Sequence, residues 1–260
     1  MEKDINKIIE GTGKIISIAP ELYDNGLKPT VQETGKMISL LPKLINSLLT
    51  PLWKWVIKRE YSLKETEKML EIKLKNIDES KIVAPETYVA VPALQAISYS
   101  MDSKELRNMY ANLLAKAMNI DEKEKVHPVF VELIKQMTPK EAIILEEIFK
   151  VSITPVIDLY INTGDGALHH RYNITWITDI PYEEVAIALD NLERMGLIQI
   201  PAFGTGYTND SNYDYVRSTG AYSKHKEQLK ELNMGNVEEE KKYIKKTALS
   251  KSFFEVCIVD

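Results

Sequence analysis

Cysteine is almost absent from this chain, with Cys257 standing alone among 260 residues. One thiol can form neither an internal disulfide nor a zinc site built on two or more thiolates, and it suits a reducing cytosol. Within Phe253-Phe254-Glu255-Val256-Cys257 it reads as a small buried hydrophobe rather than a reactive group. Histidine is scarce too, at four residues. A nucleophilic site needs Ser, Cys or Thr beside a histidine base and an orienting acid, and none of His127, His169, His170 or His225 has such a setting. His127, before a proline at a helix entry, suits capping. His169 and His170 are adjacent on an extended segment and point to opposite faces, which disfavours joint metal ligation even with Asp158 and Asp165 nearby. Phosphate loops are missing, since Gly11-Thr12-Gly13 continues as Lys14 without a third glycine. A secretory signal is not expected after Met1-Glu2-Lys3-Asp4. Nor is there an excess of positive charge: 38 acidic against 33 basic side chains give a net −5, which offers no general attraction to nucleic acid. The expectation is a protein that is not an enzyme and needs no cofactor or metal.

What is present is 44% apolar residues, enough for a sizeable core, arranged mostly with helical period. Ile5, Ile8 and Ile9 open an amphipathic turn, and Asn25-Gly26 marks a bend. From Met37 to Ile57 the apolar positions recur by threes and fours as one broad face, which Pro42 and Pro51 should kink or divide. Ser62 and Glu65 have capping-box spacing and predict a helix start. A loop is expected through Ala84-Pro85 to Pro92. The next helix should begin near Asp102 and bury Leu106, Met109, Tyr110, Leu113, Leu114, Ala117 and Met118. Val129 to Met137 is a further short helix, and Thr138-Pro139 with Glu141 starts another that runs to Lys150. Beyond residue 150, a helix over Thr178 to Met195 ends at Gly196, and Leu197, Ile198 and Ile200 read as a strand. A second strand falls near Lys242 to Thr247. The fold class is therefore mainly α: a helical domain over 1–137, then a winged-helix-like α+β domain over 138–260 with a long wing insertion at about 201–240.

Three blocks along this pass resemble the abortive-infection alpha family of bacterial phage-defence proteins. They are Met109-Tyr-Ala-Asn-Leu-Leu-Ala-Lys-Ala-Met118, His127-Pro-Val-Phe-Val-Glu-Leu-Ile-Lys-Gln-Met-Thr-Pro139, and Ser252-Phe-Phe-Glu-Val-Cys257. The likeness extends from about residue 35 and consists of helix-packing patterns rather than a chemical signature. It implies phage defence, brings no catalytic residue with it, and leaves the mechanism open.

Three surfaces are candidates for that mechanism. In the segment 38–57, Leu41, Leu48, Leu52, Trp53 and Trp55 form either a core helix or a partner or membrane contact, since twenty residues with Lys43, Asn46 and Lys54 are too polar to span a bilayer yet end in aromatic and basic residues. The segment from Pro201 to Tyr222 scatters Tyr207, Tyr213, Tyr215 and Tyr222 among Gly, Ser, Asn and Asp. It is either a recognition loop or a solvent-facing hairpin tip. The helix ending at Met195 occupies the DNA-reading position of a winged helix but carries Glu183, Glu184, Asp190 and Glu193 against Arg194, so its field repels phosphate. Lys241, Lys242, Lys245 and Lys246 can form a basic wing. The expected function is non-catalytic defence through contact with or sensing of a protein, a phage component being one candidate. The alternatives are a membrane-active effector acting through 38–57 and a winged-helix nucleic-acid regulator. A homo-oligomer is compatible with the apolar helices. The expected location is cytoplasmic, with membrane association on activation under the first alternative.

Overall fold

The computed structural model describes residues 41–53, 60–100, 102–164, 166–201 and 205–259. The turns at Ile5–Ile9 and Asn25–Gly26 lie outside them, as do Asp165 and Trp55. The protein is mainly helical with a small antiparallel sheet. The chain divides into two compact units, Met1–Met101 with Tyr110–Val131, and Asp102–Met109 with Glu132–Asp260.

In the first unit, α1 (Leu41–Trp53), α2 (Glu60–Leu74) and α3 (Thr87–Tyr99) pack on one another. Helix α1 buries Ile45 and Leu49 completely. Its prolines neither break nor divide the described helix. Pro42 falls in the first described turn. Pro51 falls in the last described turn. Helix α2 is already helical at Glu60, so Ser62 lies within it and the Ser62–Glu65 spacing does not mark its start. Helix α3 corrects the loop expected up to Pro92. Pro92 lies inside it, a placement that alone costs roughly 3 kcal/mol. The helix nonetheless buries Val89, Ala90, Ala93, Leu94, Ala96 and Ile97, and that apolar burial outweighs the one lost bond. Pro92 is half-buried and, lacking an N–H, gives no i→i−4 bond to the Tyr88 carbonyl.

Helix α4 (Lys104–Ala117) is capped by Ser103, whose Oγ accepts from Leu106 N at 3.2 Å, one residue beyond the Asp102 start expected from spacing. All seven residues of its predicted stripe are buried, along with Ala111, Asn112 and Ala115. After α5 (Val129–Gln136), helix α6 (Pro139–Lys150) begins as its sequence requires. Thr138 and Glu141 form a reciprocal capping box, and Pro139 holds the first helical position.

The second unit then departs from the predicted pattern. Residues 155–174 form an antiparallel hairpin, β1 (Pro155–Asn162) and β2 (Ala167–Ile174), that sequence period did not reveal. Helix α7 (Tyr182–Arg194) starts after Pro181 and ends in a Schellman turn, where Gly196 at φ +73° lets Leu197 N reach Leu192 O at 3.0 Å and its own N reach Glu193 O at 2.8 Å. Strand β3 (Ile198–Gln199) follows. The segment expected as a long wing instead holds a 3₁₀ turn at Asp210–Tyr213, helix α8 (Asp214–Arg217), helix α9 (Gly220–Glu231) and the start of β4 (Asn236–Tyr243). Strand β4 pairs along the full length of β1, giving the order β2-β1-β4, and β5 (Lys245–Lys246) pairs with β3 as a separate two-stranded ladder. Helix α10 (Ala248–Cys257) closes the chain, burying Phe253, Val256 and Cys257 and stacking Phe254 on Phe149 at 4.0 Å. One face of the three-stranded sheet is the core of this region: Ile157, Leu159, Ile161 and Ile174 meet Tyr213, Val216, Tyr222 and Leu229.

Gly196 gives a direct test of the Schellman turn. Leu249 Cδ2, at 3.9 Å, is the nearest atom to an added Cβ, so space is not limiting and only the left-handed backbone is. Gly196→Ala is predicted to destabilise the protein by about 1–2 kcal/mol in urea denaturation, with Gly196→Asn costing less.

Candidate functional site

Helix α7 owes its orientation to its apolar stripe, since Val185, Ala188, Leu189 and Leu192 are buried and turn the opposite side outwards. That outward side presents Glu183, Ile187, Asp190, Glu193 and Arg194. Ile187 is 67% exposed at its centre. Arg194 is held at the C-terminal end of this side, its guanidinium donating to the neutral amide oxygens Asn191 Oδ1 at 2.8 Å and Gln136 Oε1 at 3.1 Å, so it remains the one cation among these outward residues. Glu184 is paired with Lys140. The outward side of α7 thus holds one exposed isoleucine with Glu183, Asp190, Glu193 and Arg194, Glu193 Oε1 accepting from Ile200 N at 2.7 Å.

Asp190 connects this helix to the sheet. Asn173, at φ +59°, donates its side-chain amide to Asp190 Oδ1 at 2.9 Å and its backbone N–H to Asp158 Oδ1 at 2.8 Å. Asp158 is in the middle of the central strand with its side chain 1% exposed, and Lys242 from β4 donates to its other oxygen at 2.6 Å. Glu240, directly opposite Asp158 in register, is 3.8 Å from the same ammonium. Strand alternation puts Tyr160 and Glu238 on this outer face as well, with Tyr160 Oη donating to Glu238 at 2.9 Å. The rings of Tyr160, His170 and Tyr172 follow one another at 5.8 and 5.0 Å.

The tyrosines proposed as a recognition loop are mostly structural. Tyr213 is fully buried, its hydroxyl accepting from Tyr207 N at 2.8 Å and donating to Lys242 O at 2.9 Å. Tyr207 is half-buried, and its hydroxyl accepts from Thr154 N at 3.1 Å. Tyr222 is buried and hydrogen-bonded to Glu239. Only Tyr215 of the four is exposed, at 63%. The polar residues around them mislead because they make turns and caps: Asn209 accepts from Ser211 N, and Thr219 caps α9.

The basic wing is not assembled either. Lys242 belongs to β4 and is held by Asp158, and Lys241 pairs with Asp210 at 2.6 Å. Lys246 donates to Val151 O at 2.8 Å over the Phe149 ring, while Lys245 is exposed. Sequence gives charge but not pairing: two of the four charges are neutralised by carboxylates and a third lysine is tied to a backbone carbonyl.

A denser ionic cluster escaped sequence reading. Arg217 donates to Glu239 at 2.7 Å and to Asp210 and Asp214 at 3.0 and 3.1 Å, tying α8 and the preceding turn to β4. Burial pushes the Glu239 carboxyl up, but the hydrogen bonds from Arg217 and Tyr222 outweigh it and hold it below its ordinary 4.5. Burial raises the Tyr182 phenol to about 12; its hydroxyl donates to Tyr172 O at 2.7 Å. Burial also lowers the His225 imidazole, which packs against Tyr182 at 4.3 Å and bonds to Gln228.

His127 takes the capping position, its Nδ1 accepting from Val129 N at 3.1 Å. Cys257 is buried, and desolvation pushes its thiol well up. Among the described residues no group of three or more His, Cys, Asp or Glu could hold a metal ion. In the first unit Leu41 and Leu48 are half-buried, and Leu41 lines a groove of about 570 Å³ with Pro42, Ile72 and Ile77. Leu52 and Trp53 belong to α1 by backbone. No described helix is long and apolar enough to cross a membrane.

Fold and surfaces thus define a mainly helical protein whose second unit carries an acidic, partly aromatic exterior. The chain belongs to the abortive infection alpha family, whose model matches residues 58–257. Membership points to a role in abortive infection, a defence against phage, as the three sequence blocks implied. No curated protein matches the chain. A solved structure of an uncharacterized protein from the hydrocarbon-degrading marine bacterium Alcanivorax borkumensis SK2 is similar at 15% identity, over 50% of this chain and 93% of that one. Its TM-score of 0.34 is too low to bear on fold or function.

Two measurements test these interactions. Lys242→Met strands Asp158 in the interior and is predicted to cost about 3–5 kcal/mol, whereas Lys241→Met, at an exposed pair, costs under about 1 kcal/mol; chemical denaturation separates them. Glu239 titrates below its unfolded value of 4.5, so it contributes stability at neutral pH that is lost as pH falls through 4.5 and towards its lower folded value. Glu239→Gln should be less stable at pH 7 and show a flatter thermal-midpoint profile below pH 4.5 than the parent.

Proposed function

We propose that the protein acts in phage defence by docking a basic protein partner on the outward face of α7, without making or breaking covalent bonds. The observation that carries this is the composition of that face, an exposed isoleucine on a helix side whose charged residues are three acids, Glu183, Asp190 and Glu193, against the single Arg194. An apolar centre with a charged rim matches the anatomy of protein interfaces, and the sign of the rim selects a cationic partner. The same sign repels a phosphate backbone. Helix α7, its Schellman turn and the β3–β5 ladder follow the order of helix, strand, excursion and strand in a winged helix, with the helix that would enter DNA given over to protein contact. Ile45 and Leu49, fully buried in α1, favour a core role for the 38–57 segment over membrane attack. The partner is a phage component or a host protein engaged after infection.

Ile187→Arg places a bulky cation where a basic partner must sit. Cells expressing it should lose phage protection, while the purified variant keeps its thermal midpoint, since an exposed substitution changes stability by only about 0.5 kcal/mol or less. Unaltered protection would remove this face from the mechanism. Tight duplex binding that weakens steeply with salt and disappears in Lys245→Glu would replace docking with nucleic-acid regulation.

A further inference from the structure

Helix α3 contains no Asp, Glu, Lys or Arg along its whole length, Thr87–Tyr99. Its buried residues, from Val89 and Ala90 to Ile97 and Ser98, occupy most of its circumference within the first unit. What is left outward is a narrow stripe. Tyr88 is 61% exposed and Tyr99 85%, with exposed Gln95 and half-buried Pro92 between them. A helix side that faces water ordinarily carries charged residues, and this one carries none. Residues 88, 92, 95 and 99 are separated by four, three and four positions, the spacing of a and d residues in a coiled-coil seam. At 3.6 residues per turn they fall within one arc of about 60°.

The stripe is complementary to itself. Tyr88 and Tyr99 lie equally far from the midpoint between Ala93 and Leu94, and so do Pro92 and Gln95. A two-fold axis at that midpoint would set Tyr88 of one copy against Tyr99 of an antiparallel second copy, and Pro92 against Gln95, each contact occurring twice as an isologous interface requires. Charge selects the same occupant. A charged partner would be desolvated against a helix that offers no counter-ion, whereas a second neutral stripe loses nothing on contact. A lipid surface is a poorer match, because interfacial helices carry Lys or Arg on their polar side. Tyrosines this exposed offer roughly 150 Å² apiece, so the four in a pair supply about 600 Å², half of the ~1,200 Å² at which stable interfaces begin. Val91, Pro92 and Gln95 add to that area, which places the pair in the weak, reversible class.

We propose that the outward stripe of α3 is a self-association surface, on which a second copy of this chain lays its own α3 antiparallel. The two Tyr88–Tyr99 contacts anchor the ends of the seam, and the Pro92–Gln95 contacts fill its centre. This goes beyond the docking of a partner on α7 and does not rest on it.

The test is sedimentation velocity of the full chain from about 1 µM to about 1 mM, which spans the range of weak dimers. A monomer–dimer equilibrium is expected, with its dissociation constant raised roughly tenfold or more in Tyr88→Glu and in Tyr99→Glu. Both changes are at exposed positions, so the thermal midpoint should stay close to that of the parent. Combining Tyr88→Lys with Tyr99→Glu sets opposite charges against each other in the antiparallel pair and should bring the dimer back, whereas a parallel pair would meet like charges and stay apart. A chain that is monomeric throughout, a dimer indifferent to both glutamates, or no recovery in the combined variant overturns the proposal. So does a monomeric chain that binds phosphatidylcholine–phosphatidylglycerol vesicles and loses them in Tyr99→Glu, which would give the stripe to lipid. Ile187→Arg should dimerise like the parent; its failure to do so would move the contact to α7 and overturn pairing through α3.

Discussion

The second unit depends on a carboxylate at the centre of its sheet. Asp158 sits in the middle strand among Val156, Ile157 and Leu159, all buried, where an unpaired charge would unfold the region. Lys242 makes that placement tolerable, and in doing so it selects the register of β4 against β1, since a slip by one residue would send Lys242 to the other face. Asn173 takes a left-handed conformation to reach the same carboxylate and extends the connection to Asp190 on α7. One buried acid thus aligns both edge strands and a helix.

The same arrangement sorts the charges of the chain. Around the sheet two lysines are taken up by ion pairs, Lys242 with Asp158 and Lys241 with Asp210, and Lys246 donates to a backbone carbonyl. Arg217 is enclosed by three carboxylates. What remains outward on α7 is mostly acidic. A net charge of −5 is small for a chain of this size. Membership in the abortive infection alpha family gives that surface a biological setting without supplying its mechanism.

Much of the helical architecture was legible because it rests on local chemistry. The Thr138–Pro139–Glu141 start, the stripe from Leu106 to Met118 and the Gly196 terminator each require only neighbours within a few residues. The hairpin was not legible for equally physical reasons. Strand β1 is buried on both faces and so lacks alternation, and β2 carries Leu168-His169-His170-Arg171-Tyr172, which has no apolar period at all. Helix α3 was hidden by Pro92, whose local cost is outweighed by packing that local reasoning does not contain.

The candidate surfaces divide along the same line. Sequence by itself determined the acidic bias of α7 and the direction of its exposed side, because helical period ties each side chain to a face. Only tertiary structure decided that Tyr213 and Tyr222 are core, that three of four wing lysines are occupied, and that Glu240 meets Asp158. Their partners lie 17 to 84 residues away along the chain, and no spacing rule reaches across a gap that sheet pairing alone closes.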